Sequence, residues 1–496
     1  MTQENRLLLH APALSRIERQ YAHLPLMERA GAAALPIALD MQRGLAAPPL
    51  ILAGPGNNGG DALVLARLLR QRGLAPRVVC RADPAKMPVD ARHAYQAWRD
   101  AGGEVLTDIP GGNNGLVVDG LFGIGLNRPA EGPYVQWIAG INQYPGPILS
   151  LDVPSGLNAD TGEVLGTAVH ATATVTFIAG KPGLYTLDGP DHCGAITVAT
   201  LGLPQEAFPA DHGLLLDAES GYRHFQHVLQ PRRRNSHKGS YGSAGIIGGA
   251  PGMAGAALLT GRACLSLGAG RVYVGMLDPI PVDPVQPELM LRPAETIFDL
   301  ASVLTIGPGL GASPEALLLL RRAIDVDKPL VIDADGLNLL AAHPALHRHV
   351  ARRSAPTLLT PHPLEAARLL DESLHGLQGD RIATARRLAR QFKADVVLKG
   401  VGSVLANAEG QWAINATGNP GLASAGTGDV LCGFLTALLA QGLPPTTALR
   451  LAVHLHGLAA DHCVINGEGP VGLTASELIR PARAQFNRWQ ATAGNP

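Results

Sequence analysis

Two α/β domains in tandem are predicted for this chain, and three observations predict them. The 496 residues are about twice what one core usually organises. Short apolar segments recur along nearly the whole length, each followed by a glycine-rich turn and then an amphipathic stretch. These segments are continuous rather than alternating, which marks strands of a parallel sheet buried on both faces by helices. Finally, Gly 59 and Pro 39 exceed the usual shares of roughly 7% and 5%, as many tight turns require.

In order, the strands of the first half are Leu50 to Ala53, Arg77 to Cys80, Leu116 to Asp119, Ile148 to Asp152, Thr174 to Ile178 and Ala195 to Ala199, with Ala62 to Arg72 a connecting helix. This is a doubly wound layout. From Leu203 to Gln230 the rhythm fails, because Pro204, Pro209, Gly213 and Gly221 break any period. The boundary belongs there, dividing the chain into residues 1–212 and 213–496. Strands resume at Gly245 to Gly248, Arg271 to Gly275, Val303 to Ile306, Pro329 to Asp333, Thr357 to Thr360 and Val396 to Lys399, and helices close the chain around Val430 to Ala440 and Thr446 to Cys463.

Composition excludes several classes. Lys+Arg 40 against Asp+Glu 41 leaves a formal charge of −1, so a nucleic-acid backbone is not the partner; the one basic run, Pro231 to Arg234, is too small for a binding face. Five cysteines, Cys80, Cys193, Cys264, Cys432 and Cys463, are odd in number and widely spaced, which suggests reduced, buried thiols rather than disulfides or zinc. Met1 to His10 has no apolar leader, and no apolar run reaches about 18 residues. A cytoplasmic protein with no membrane partner is expected.

The first chemical constellation opens with Gly54-Pro55-Gly56-Asn57-Asn58-Gly59-Gly60-Asp61 after a strand. Its glycines satisfy the dinucleotide fingerprint of a dehydrogenase. Asn57, Asn58 and Asp61 argue against it, since a pyrophosphate needs bare helix amides and Asp61 would repel it. Two further acids close strands, Asp119 before Gly120-Leu121-Phe122-Gly123-Ile124-Gly125 and Asp152 before Val153-Pro154-Ser155. Ligands of open parallel sheets sit beyond the carboxyl ends of strands, so these motifs should converge. Asn58, Asp119 and Ser155 offer hard oxygen ligands for a monovalent cation, while each Asp taken alone is equally a cap or turn residue.

GPGNNGGD, VVDGLFGIGLNRP and LDVPSGLNADTGEVLGTAVHATATVTF resemble the NAD(P)H-hydrate epimerase family, which implies a Rossmann-like fold and an isomerase. The resemblance places hydrate binding on Asn57, Asn58, Gly59, Gly60 and Asp61 and on Gly123, Ile124, Gly125, Leu126, Asn127, Arg128 and Pro129. It places the acid/base on Asp152 and potassium on Asn58, Asp119 and Ser155. Two departures are small: Ala62 and Gly120 stand where the family more often has Gly and Ala.

The second constellation is Asn419-Pro420-Gly421-Leu422-Ala423-Ser424-Ala425-Gly426-Thr427-Gly428-Asp429, running into a helix. Such glycines leave amide N–H groups at a helix N-terminus for a phosphoryl group, and Asp429 can accept a proton from an attacking hydroxyl or simply complement the helix dipole. With it go His237 to Gly242, Gly307 to Gly311, Asp333 to Asn338, Thr360-Pro361-His362-Pro363 and Lys399 to Ser403. Singly these are turns; His362 between prolines reads as a rigid loop residue and Lys399 as a solvated strand end.

As an ordered set they resemble the ADP- or ATP-dependent NAD(P)H-hydrate dehydratases, ribokinase-like proteins, which implies a lyase using Mg2+. Lys399, Gly400, Val401, Gly402, Ser403 and Gly428 would then hold the nucleotide, while Ala256, Gly309, Gly311, His362 and Asp429 would face the hydrate. Leu364 replaces the glycine of the usual TPHPGE, leaving the fit of substrate against this loop open. The combined expectation is repair of hydrated NADH and NADPH at the expense of ADP or ATP, by a homo-oligomer. Its rivals are a vitamin-type small-molecule kinase, and a first domain that only binds or assembles.

Overall fold

The computed structural model describes residues 6–112 and 114–493 and divides into two compact units between Leu214 and Leu215. In the first unit a seven-stranded sheet runs, edge to edge, Val105–Leu106, Arg77–Val79, Leu50–Ala53, Val117–Gly120, Ile148–Leu151, Ala173–Phe177 and Ala195–Ala199. All its pairings are parallel. Alternation along each strand feeds two cores. Ile51 and Ala53 join the cluster under helices Ala11–Gln20, Leu26–Gln42, Asn57–Gln71 and Val89–Asp100, while Leu50 and Leu52 join Trp137, Ile138 and Ile141 of helix Pro133–Asn142.

The chain builds outward from Leu50–Ala53 to Val105–Leu106, then returns and builds the other way from Val117–Gly120. The reversal lies between Leu50–Ala53 and Val117–Gly120, the point where such sheets open a ligand crevice.

In the second unit, strands Trp412–Asn415, Ser403–Ala406, Asp395–Leu398, Thr357–Leu359, Leu330–Ile332, Val303–Ile306, Ser243–Gly248, Arg271–Met276 and Met290–Pro293 lie side by side in that order. The strands expected from the sequence pair in parallel, and two further strands extend the sheet at one end. Ser403–Ala406 and Trp412–Asn415 continue Asp395–Leu398 as an antiparallel meander, because the connections between them are too short for the crossover that parallel pairing needs. The central helix Thr427–Ala440 is apolar nearly all round and packs on Ala254–Ser266. A Cβ on Gly433 would lie 2.4 Å from the Thr260 carbonyl, so glycine allows this close approach.

Most expected elements differ from the observed ones by a residue or two at their ends. The helix placed at Ala62 to Arg72 begins five residues earlier, as Asn57–Gln71, and the stretch read as irregular holds strand Gly213–Leu216 and helix Gly221–Phe225. All five cysteines are free and buried. Among the described residues no helix is long and apolar enough to cross a membrane.

Candidate active site

In the first unit a cavity of about 440 Å³ opens where the strand order reverses. Asn57, Asn58, Asp61, Gly123, Ile124, Gly125, Leu126 and Asp152 line it, so three separate motifs meet there. Gly59 and Gly60 do not line it. A Cβ on Gly59 would lie 2.0 Å from the Gly54 carbonyl, and one on Gly60 would strike Met27 and Ala91, so these glycines seat the helix. Asn127, Arg128 and Pro129 also lie outside the lining.

Asp152 takes a left-handed φ of 64°, a conformation uncommon for non-glycine residues although Asp tolerates it better than most. It is fixed from two sides: its amide donates to the Val175 carbonyl at 2.7 Å, and its Oδ1 accepts from Lys181 Nζ at 2.5 Å and Phe177 N at 3.3 Å. Lys181 is 1% exposed and gives a second hydrogen bond to the Phe177 carbonyl at 2.7 Å. Sequence reasoning missed Lys181, although a lone lysine in Ala179-Gly180-Lys181-Pro182-Gly183 after an apolar strand was a usable signal. It missed Glu18 too, whose place on an amphipathic helix carried none. Both line the cavity.

Below the crevice Asp119 is fully buried. It accepts hydrogen bonds from Ser150 Oγ at 2.8 Å, Ser155 N at 2.9 Å and Ser155 Oγ at 2.5 Å. Burial raises its pKa while these donors pull the other way. Asn58 Nδ2 donates to the Phe122 carbonyl at 3.0 Å, yet buried Asn58 Oδ1 has no hydrogen-bond partner. An orphaned oxygen beside a buried carboxylate and a serine fits a hard monovalent cation. The two family departures also meet: a Cβ on Gly120 would lie 2.5 Å from the Ala62 Cβ, so the sites share room for one methyl.

In the second unit the expected residues gather beyond the carboxyl ends of the parallel strands. Lys399 is no solvated strand end: its Nζ lies 2.9 Å from Asp333 Oδ1 and 4.0 Å from Glu365 Oε2. Asp333 also accepts from Thr360 Oγ1 at 2.7 Å and Cys432 Sγ at 3.1 Å. A Cβ on Gly428 would lie 3.5 Å from Lys399 Nζ, which puts the ammonium at the start of helix Thr427–Ala440, where amides and helix dipole favour an anion. Asp429 stands in the same first turn. Burial first, and then the Asp333 carboxylate, push its pKa up to about 7. Burial likewise pushes Glu365 up to about 7.

Lys399 to Ser403 form the meander's turn, with Gly400 and Gly402 at φ 138° and 60° and Ser403 Oγ donating to the Gly400 carbonyl at 3.0 Å. Buried Arg381, which sequence reasoning did not single out, donates to the carbonyls of Leu398, Lys399 and Val401 and braces this turn. His362 does more than stiffen a loop. Its Nδ1 accepts from the amides of Leu364 and Glu365 and caps helix Pro363–Leu370. Leu364 falls in that first turn with its side chain exposed, so no left-handed backbone demands glycine there. A Cβ on Gly309 would lie 3.1 Å from Ala256, and the Gly311 amide donates to Asp335 at 2.8 Å. Thus Ala256 meets Gly309, while Asp335 links Gly311 to the charges around Asp429.

A doubly wound unit with an acid-lined crevice, joined to a mixed α/β unit with a lysine and a carboxylate at a helix N-terminus, defines a two-domain α/β protein with a candidate site in each unit. Residues 23–183 match the family described as the YjeF-related protein N-terminus, and residues 244–481 the NAD(P)H-hydrate dehydratase family. The bifunctional NAD(P)H-hydrate repair enzyme Nnr of Coxiella burnetii is 38% identical over 98% of this chain and 99% of its own. That of Escherichia coli is 38% identical over 95% and 92%. Among solved structures, the ADP/ATP-dependent NAD(P)H-hydrate dehydratase of Bacillus subtilis, crystallised with ATP and Mg2+, aligns at 30% identity over 54% of this chain and 97% of its own, with a TM-score of 0.48. The chain belongs to the family of bifunctional NAD(P)H-hydrate repair enzymes.

Proposed function

We infer that this enzyme returns hydrated NADH and NADPH to use by two reactions, with Asp152 and Asp429 as the acid/base residues of its two units. The observation that carries the reading is the pairing, in one chain, of an ion-paired carboxylate at a strand end in a cavity with a second carboxylate at a helix N-terminus open to phosphate. Hydration of the reduced ring leaves a hydroxyl at C6 in either of two configurations. The first unit interconverts them, so that neither is stranded. Hydroxide leaves poorly, so the second unit transfers a phosphoryl group to the S hydrate from ADP, or from ATP, releasing AMP or ADP. Asp429 takes the proton as the hydroxyl attacks phosphorus. The C6–O bond then breaks with its electron pair going to phosphate, and loss of a C5 proton restores the dihydropyridine.

Lys399, the Gly400 to Ser403 turn and the amides at Gly428 hold the nucleotide. Lys399 counters the charge of the transferring phosphate. Mg2+ would arrive on the nucleotide, held mainly by phosphates and water, and would neutralise phosphate charge. Asn58, Asp119 and Ser155 would hold potassium, which would supply fixed positive charge near the substrate. A cytoplasmic homo-oligomer completes the reading. It is tested by following inorganic phosphate with hydrated NADH and either nucleotide. Phosphate released in step with NADH supports it, whereas a stable phosphorylated thiazole or pyrimidine alcohol, with no action on the hydrate, identifies a vitamin-type kinase.

A further inference from the structure

Four carboxylates, Glu18, Asp61, Asp90 and Asp152, line the cavity of the first unit together with one lysine, Lys181. The lysine is committed to Asp152. It uses Asp152 Oδ1, leaving Oδ2 toward Gly123, where a Cβ would lie 3.1 Å away. Asp61 has no such partner: among the described residues its side chain makes no hydrogen bond or ion pair. The two acids also approach from different walls. Asp61 rides the helix that follows Leu50–Ala53, and Asp152 ends Ile148–Leu151, with Val117–Gly120 and its loop between them.

Resting on the epimerase reading above, we propose that Asp61 is a second catalytic residue, the acid that protonates the departing C6 hydroxyl while the ion-paired Asp152 serves as the base. Two acids in one site with unlike environments divide the roles of donor and acceptor. Burial, then Asp152 and Glu18, push Asp61 well above the ordinary carboxylate range, against the pull of Lys181.

The step balances. Asp61 gives its proton to the hydroxyl, the C6–O bond breaks with its electron pair leaving as water, and the ring nitrogen lone pair closes an iminium. Water adds to the opposite face and Asp152 takes its proton. The proton returns from Asp152 to Asp61 through cavity water, and nothing is oxidised or reduced. Because water leaves and re-enters, the C6 oxygen must exchange with solvent.

The test compares the parent, Asp61→Asn and Asp61→Glu as full chains without nucleotide, using purified R hydrate. Epimers are separated by chromatography, 18O uptake from labelled water is read by mass spectrometry, and hydrate affinity by calorimetry. The parent should take up one 18O per inversion. Asp61→Asn should keep its hydrate affinity while inversion and exchange fall together by roughly 10² to 10⁴, and Asp61→Glu should recover much of both. Inversion by the parent without 18O overturns the proposal, as does Asp61→Asn that inverts at the parental rate or loses only affinity. If Asp61→Asn does not fold, a glutamate variant no faster than the uncatalysed reaction overturns it. A parent that inverts neither epimer overturns the epimerase reading itself.

Discussion

Lys399 places its ammonium 2.9 Å from the Asp333 carboxylate, two residues 66 positions apart that meet where helix Thr427–Ala440 begins. Asp333 is 2% exposed and the Lys399 side chain 21%. Burial alone would raise the Asp333 pKa, but the lysine reverses this and holds it below the ordinary range. Burying both charges is costly, so the pair mainly fixes the position of the ammonium at the helix start, and removing one partner strands the other.

Lys399→Met should therefore destabilise the second unit by about 3–5 kcal/mol, and adding Asp333→Asn should recover most of it. Denaturant titration reads both. Because the folded Asp333 pKa is depressed, its contribution is complete above the unfolded carboxylate value of about 4 and is lost as pH falls through the folded value.

Asp429 must be ionised to act as a base, and its pKa is pushed up to about 7. Turnover on the S hydrate should fall roughly tenfold per pH unit below that value and level off above it. Asp429→Asn should remove this acid limb and lower turnover by about 10² to 10⁴ while nucleotide affinity survives. Single-turnover rates beside calorimetric titration with nucleotide separate these effects.

Gly428→Val should fail differently. A Cβ there meets only Lys399 Nζ at 3.5 Å and Asp333 Oδ2 at 3.8 Å, ordinary contacts that the fold accepts. The added methyls should instead obstruct a phosphate at the helix N-terminus, where the nucleotide is proposed to bind. Nucleotide affinity should weaken by about tenfold or more, about 1.4 kcal/mol, with the melting temperature nearly unchanged.

Gly120→Ala forces a methyl to 2.5 Å from the Ala62 Cβ and should cost about 1–3 kcal/mol. Ala62→Gly alone should cost about 1 kcal/mol through helix propensity. The double variant should be more stable than Gly120→Ala alone, a coupling that a double-mutant cycle of unfolding energies measures.

Strand ends were the most legible part of this molecule, because continuous apolar runs stop at the polar residues of the candidate sites: Asp119 and Asp152 at strand ends, Lys399 just beyond one. The start of helix Asn57–Gln71 was not legible, since Asn57, Asn58, Gly59 and Gly60 are poor helix formers held helical by tight packing of Gly59 on Gly54. The antiparallel meander was hidden because Ser403–Ala406 and Trp412–Asn415 are only four residues each and no helix separates them, so the strand, turn and helix rhythm that marked the other strands is missing. Partners that complete each charge cluster escaped for a different reason. Lys181, Glu18 and Arg381 act through distant residues, and no local pattern states a long-range contact.

The central claim, two repair activities in one chain, is tested by giving the enzyme a mixture of R and S hydrates with excess nucleotide and recording the recovery of reduced-nicotinamide absorbance to its end point. The parent should recover the whole mixture, and Asp152→Asn should stop at the share of S hydrate after a normal initial rate. No recovery with either nucleotide, or full rapid recovery by Asp152→Asn, would contradict the account.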